Sequence, residues 1–233
     1  MTRPPKVWAP LEVDDAVHAA HKFVEHHKER LDSISAIKVP GLTIINPNSK
    51  EQDIIKIFNL LCMYPVEIVL MQIELPELYK LHIRCEAHPR AGHDVRVDIL
   101  LEARTPRTAT TIAVMEIKGF GLVRDQVGGI LYARVDTIEK AKKVKPRSAV
   151  QFKGNSKLLL KQCATYARRY GTRHVALCDW SVAVYFDFKQ LAEAGQNSAG
   201  DYVLCQLHTD HGSFHYALLA FFKRAVDEWL QGR

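Results

Sequence analysis

The chain has 233 residues, 47% of them apolar and 25% charged, the balance of a soluble globular protein with a sizeable core. A net charge of +6 and a pI near 9.0 favour a polyanionic partner. The five cysteines lack a CxxC pair, which argues against a disulfide framework and a zinc knuckle and for an intracellular, reducing compartment, cytoplasmic or nuclear. No apolar run reaches membrane-spanning length and no signal-peptide core opens the chain, so no membrane partner is expected.

Residues 1–10 carry three prolines and predict an irregular arm. Residues 11–34 predict a helix, with Val13, Val17, Ala20, Val24 and Leu31 as its apolar stripe, acids early and bases late. On it, His21 and Glu25 stand four apart, the spacing of a shared metal but also of a solvated face, and the solvated face is the simpler reading. Residues 1–50 thus read as an arm and helix ahead of a domain over 51–233. Residues 35–50 read as connecting chain with an extended piece at 43–45. Asn48 or Ser49 is placed to cap a helix over 51–63, with Ile54, Ile55, Phe58 and Leu61 inward, and Pro65 interrupts it. Residues 66–75 are too short and too apolar to separate helix from strand. Residues 78–87 predict a strand that enters the turn HPRAG.

Residues 94–103, DVRVDILLEA, alternate around Val95, Val97 and Ile99, with Arg96 and Asp98 between them. Residues 110–118, TTIAVMEIK, are β-branched, and a polar loop with Pro106 separates the two segments. A period of two sends Glu116 and Lys118 to one face and Ile117 to the other. If the segments pair as a hairpin, Asp98 approaches Glu116, which makes a candidate cation site with a lysine beside it. Asp94 is an alternative acid at the strand's start.

After Lys118 a flexible GFG leads into a polar insertion running to about residue 153. Its most basic part, with Lys140, Lys142, Lys143, Lys145 and Arg147, reads equally as a solvated segment or a nucleic-acid-contacting patch. Residues 155–170 predict a helix closed by Gly171, with Gln162 and Tyr166 sharing a face. HVALCDW and SVAVYFDF predict two strands turning near Trp180 and Ser181, and residues 190–200 a surface loop. The C-terminal FHYALLAFFKRAVDEWL predicts an amphipathic helix with Tyr216, Leu219, Phe222, Val226 and Leu230 inward. His208, Asp210, His211 and His215 fit a polar loop and helix start better than a second metal site. No Gly-rich phosphate loop or serine-nucleophile elbow is present.

The order is helix, strand, strand with Asp98, strand ending Glu116-Ile117-Lys118, helix with Gln162 and Tyr166, then strand. Over about residues 50–190 this resembles the restriction-endonuclease-like superfamily, written PD-(D/E)XK, and QCATY resembles the Gln-x-x-x-Tyr pattern of its RecB-like branch. Val97 stands where that pattern has proline, and Glu51 and Glu67 are candidates for a further acid on the first helix. The resemblance implies an α/β (α+β) fold, a mixed central β-sheet flanked by helices. It implies a metal-dependent nuclease that hydrolyses phosphodiester bonds of DNA or RNA. Asp98, Glu116 and the Ile117 carbonyl would bind Mg²⁺ or Mn²⁺, Lys118 would position the attacking water, and Gln162 and Tyr166 would position the strand or the lysine. The alternative is a catalytically inactive nucleic-acid-binding or protein-interaction module that keeps the fold. DNA against RNA, endo- against exonuclease, and the oligomeric state, a homodimer among the options, stay open.

Overall fold

The computed structural model of the chain describes residues 2–11, 14–34, 51–87, 96–144, 149–191, 199–210 and 212–232. One seven-stranded sheet is built from β1 (Val7–Pro10), β2 (Lys80–Ala87), β3 (Val97–Arg104), β4 (Ala109–Ile117), β5 (His174–Cys178), β6 (Ala183–Asp187) and β7 (Tyr202–His208). Its spatial order is β1-β7-β6-β5-β4-β3-β2. β1 with β7 and β4 with β5 are parallel, and the remaining neighbours are antiparallel. The helices are α1 (Asp14–His26), α2 (Lys28–Ile34), α3 (Glu51–Phe58), α4 (Tyr64–Leu70), α5 (Val127–Tyr132), α6 (Ile138–Lys142), α7 (Gly154–Tyr170) and α8 (Phe214–Gln231). The fold is therefore mixed α/β, a mixed sheet flanked by helices.

Two apolar layers follow from the alternation of side chains along the central strands. Ile99, Leu101, Met115, Ile117, Ala176 and Tyr185 face α1, the helical run of residues 51–70 and α8. Leu100, Val114, Val175, Leu177 and Val184 face α7 and α5. From Val97 to Ala103 every residue of β3 is buried, so this strand is covered on both faces and not half-exposed as its alternation suggests. β4 begins exposed and ends buried, which carries Glu116 into the interior.

Several elements depart from the local reading. Residues 7–10 are not an irregular arm: they form the edge strand β1, in register with β7 from Val7 opposite Tyr202. Trp8 is buried there, and its indole donates to the Ile130 carbonyl at 2.6 Å. Strand β7 itself lacks a counterpart in the sequence reading. The first helix breaks at His27, and α1 lies against α8, where His21 stacks on Tyr216 with ring centroids 3.4 Å apart. Pro65 does not end the second helix. A π-helical turn over Asn59–Met63 widens the backbone just before it, so that Pro65 falls in the first turn of α4, where its missing N–H and fixed φ cost nothing. Residues 119–144 form more than a polar insertion: Val123, Ile130 and Ala133 are buried in the layer beneath α7. Segments 35–50 and 88–95, with the 43–45 extended piece, the Asn48 or Ser49 cap, the HPRAG turn and Asp94, lie outside the described residues.

The C-terminal helix is clamped to the sheet by charge. Arg173 grips Asp187 through two hydrogen bonds of 2.6 Å, and its other nitrogen lies 3.0 Å from Glu228 of α8. Arg224 donates to Glu228 at 2.8 Å. The hydrogen bond from His174, then Arg224 and the charge of Arg173, hold the Glu228 carboxyl down at about 2 against the upward push of burial. A depressed acid stabilises the fold above its ordinary range and loses that contribution as pH falls toward the folded value. Glu228→Gln should therefore cost on the order of 2 kcal/mol at neutral pH. In melting curves its deficit against wild type should shrink as pH falls from 4.5 to about 2.

Candidate active site at the end of β4

The β3–β4 ladder runs from Arg104 opposite Ala109 to Ile99 opposite Met115 and stops there. One more step of the same register would set Asp98 against Glu116. Instead the Asp98 carboxylate accepts the Ile117 N–H at 2.7 Å, taking the donor that the parting strands leave open. The Lys118 N–H points the other way, to the Cys178 carbonyl of β5 at 2.7 Å. In an extended strand a residue's N–H and C=O face the same edge, so the Ile117 carbonyl also faces the gap beside Asp98. The Ile117 side chain is packed in the opposite layer, as the period of two requires.

Glu116 is the hub. Its Oε1 accepts from Lys118 Nζ at 2.6 Å and from Gln162 Nε2 at 2.8 Å. Gln162 also lies 2.5 Å from the Tyr166 hydroxyl, which in turn hydrogen-bonds Glu116. The four-residue step along α7 puts both polar groups over the end of β4. Asp98 and Glu116 are 5% and 7% exposed, so both carboxylates act in a low-dielectric setting. Burial, then the charge of Glu116, raises the Tyr166 pKa and keeps its phenol a donor. Burial likewise pushes Tyr170 up to about 12, and its hydroxyl bonds the backbone of Val97, next to Asp98. Two carboxylates beside a backbone carbonyl make a hard oxygen donor set suited to Mg²⁺ or Mn²⁺.

The structure thus brings together Asp98, Glu116, Ile117, Lys118, Gln162 and Tyr166. It does not bring the described part of the basic segment to them. Ala141 of α6 packs with Val7 and Ala9 at the β1 edge, on the sheet face opposite Trp8, whereas Trp8 shares the α7 layer. Lys140, Lys142 and Lys143 are exposed on that remote element, with Lys140 bonded to Asp136 at 2.7 Å. Lys145 and Arg147 lie outside the described residues. Glu67 of α4 has a charge partner in His82, which is in register with Glu102 and thereby with Thr111, five residues along β4 from Glu116. The side chain of Glu51 lies outside the described part. His215 bonds the Leu61 carbonyl, and Asp210 accepts from Gly212 and Ser213 at the start of α8, while His211 lies outside the described residues.

Among the described residues, His174, Asp187 and Glu228 offer ligand atoms within 4.8 Å of one another. This group is the α8 clamp, and its carboxylates are already neutralised by Arg173 and Arg224. A divalent cation there would face two guanidinium groups, so we read it as an ion-pair clamp.

The sequence reading missed Asp179. Fully buried in the β5–β6 turn, it accepts from Val123 N and Arg124 N through one oxygen. Ser181 N, Ser181 Oγ and Val182 N donate to the other. It thereby fastens the segment that leaves Lys118 to the neighbouring strand end. The Asp-Trp-Ser triplet, an aspartate two residues before a serine at a turn, is the local signal for it. Asp179→Ala should cost about 3 kcal/mol or more in urea unfolding and should speed amide exchange at Val123 and Arg124. No protein-family model, no curated protein and no solved structure matches this chain.

Proposed function

We propose that this protein is a metal-dependent nuclease of restriction-endonuclease-like fold, hydrolysing phosphodiester bonds of DNA or RNA at the Asp98–Glu116–Lys118 cluster. The single observation that carries the reading is the gap at the end of β4, where two buried carboxylates and a backbone carbonyl stand beside an ammonium. The fold reading is supported by chain order: the helical run of residues 51–70, then β2, β3 and β4, then α7 and β5, is the succession that the superfamily resemblance implies.

Asp98, Glu116 and the Ile117 carbonyl would hold Mg²⁺ or Mn²⁺, a hard-oxygen set that leaves coordination positions for water and phosphate. A cation bound there would polarise the phosphate and lower the pKa of its water. Lys118 supplies a cation next to the scissile group, where it orients the nucleophile or meets charge that develops on the phosphate. Gln162 keeps that ammonium and the Glu116 oxygen in a fixed relation, since it donates to the oxygen that Lys118 also holds. Tyr166 locks the Gln162 amide from the next turn of the helix.

A second reading, a non-cutting nucleic-acid-binding module, draws on one specific fact: Glu116 already receives Lys118, Gln162 and Tyr166. Mn²⁺ calorimetry separates the two, because a ligating Glu116 predicts heat that vanishes in Glu116→Ala.

Purified protein incubated with DNA and RNA in Mg²⁺ or Mn²⁺ should show chelator-sensitive cleavage. Asp98→Ala and Lys118→Ala should each lower the rate by about a hundred-fold or more, ~3 kcal/mol of barrier. Absence of cleavage on both substrates, or equal rates in wild type and both variants, rejects the proposal.

A further inference from the structure

Exposed apolar side chains are unevenly spread over this molecule. Among the described residues, nine large ones are at least a third exposed, and five of them are Phe120, Leu122, Leu131, Tyr132 and Leu158. All five belong to the segment that leaves β4 or to the first turns of α7. Phe120 follows Lys118 by two residues, and Leu158 stands one helical turn before Gln162. Tyr132 ends α5, which lies tight on α7: a Cβ on Gly129 would come within 2.9 Å of Ser156 Oγ. The patch therefore forms a rim that runs from the end of β4, beside the Glu116 cluster, along α7 to the β1 edge, where the Ala133 carbonyl accepts the Trp8 N–H.

Each aromatic ring in the rim carries a cation. The Arg124 guanidinium lies 5.8 Å from the Phe120 centroid, and Lys153 Nζ lies 4.3 Å from that of Tyr132. Both rings stay about half exposed, at 47% and 49%. The Arg124 backbone is pinned by Asp179, so the Phe120 pair rests on a fixed turn. The helix behind them is charged with one sign: α7 contains Lys157, Lys161, Arg168 and Arg169 and no acidic residue. Lys153, Lys157 and Lys161 follow at four-residue steps along one side toward Gln162.

Half-exposed rings beside cations, on a helix that carries basic side chains only, fit a ligand that presents flat apolar faces and phosphates at once. A duplex hides its base faces in the stack, whereas an unpaired strand offers them. We propose that this rim is a track for single-stranded nucleic acid: bases stack on Phe120 and Tyr132, phosphates meet Arg124, Lys153 and Lys157, and the backbone is led to Glu116. The inference rests on reading the Glu116 cluster as a phosphodiester site, and it adds the strandedness of the substrate and the residues that select it.

The test is fluorescence anisotropy of the full chain with a labelled short single-stranded oligonucleotide and with the matching duplex, both in EDTA so that binding is read without cleavage. The single strand should bind at least about tenfold more tightly than the duplex. Phe120→Ala and Tyr132→Ala should each weaken it about tenfold with unchanged melting temperature, because both rings are exposed. Lys157→Ala should flatten the plot of log affinity against log salt by about 0.7. Equal binding of duplex and single strand, an unaltered affinity in the double aromatic variant, or no binding of either oligonucleotide (the result for a rim that receives a protein) overturns the track. Binding that obeys these rules without any metal-dependent cleavage rejects the nuclease reading and leaves the track standing. Cleavage by a protein whose binding ignores Phe120 and Tyr132 does the reverse.

Discussion

The parting of β3 from β4 beyond Ile99 and Met115 is the constraint on which the site depends. Both strands are buried, so an open backbone donor at that point would carry the full cost of an unmet hydrogen bond. Asp98 meets it by accepting the Ile117 N–H. The same contact fixes where the Asp98 carboxylate lies, keeps the Ile117 peptide turned to the gap and brings an acid to the level of Glu116. Backbone satisfaction and site geometry are one event.

Two buried charge clusters in this chain differ in their balance. At the α8 clamp, Arg173 and Arg224 offset Asp187 and Glu228, and His174 adds a further donor. Such a cluster is closed to a cation by its own guanidinium groups, and its work is to join a helix to two strand ends. At the end of β4 Glu116 receives the ammonium of Lys118 and Asp98 accepts the Ile117 N–H, so the formal charge of these three side chains is negative. A divalent ion would reverse that sign and make the place attractive to a phosphodiester. Both clusters combine acids with bases; in the clamp guanidinium groups meet both acids, whereas at the end of β4 the Lys118 ammonium meets Glu116.

α7 ties the site to its surroundings. Its inward side packs Leu160, Cys163, Ala164 and Ala167 on the sheet, and its next side presents Gln162 and Tyr166 to Glu116. Its C-terminal end is held as well, with Gly171 in the left-handed conformation at φ 64° and Tyr170 reaching the Val97 backbone. Across the same layer, Asp179 fastens the chain that leaves Lys118. The site is thereby supported from β3, β5, α7 and the β5–β6 turn, all outside the Glu-Ile-Lys tripeptide itself.

Local rules were enough for the site's own residues. The period of two placed Glu116 and Lys118 on one face, the four-residue helical step paired Gln162 with Tyr166, and Gly171 marked the end of α7. These are short-range consequences of backbone geometry and need no partner. β1 could not be read this way, because a four-residue strand among prolines has no signature apart from its partner, and that partner begins at Tyr202. The continuation of the helix through Pro65 depended on a π-turn that only packing of Phe58, Cys62 and Val66 on one side would select. The remote placement of Lys140, Lys142 and Lys143, and the gathering of Phe120, Tyr132 and Leu158 at the rim, were likewise decided by which face of the sheet each segment covers. The sequence by itself determined which side chains share a face on each element. The tertiary structure decided which elements meet, since that choice depends on burying apolar faces between segments far apart along the chain.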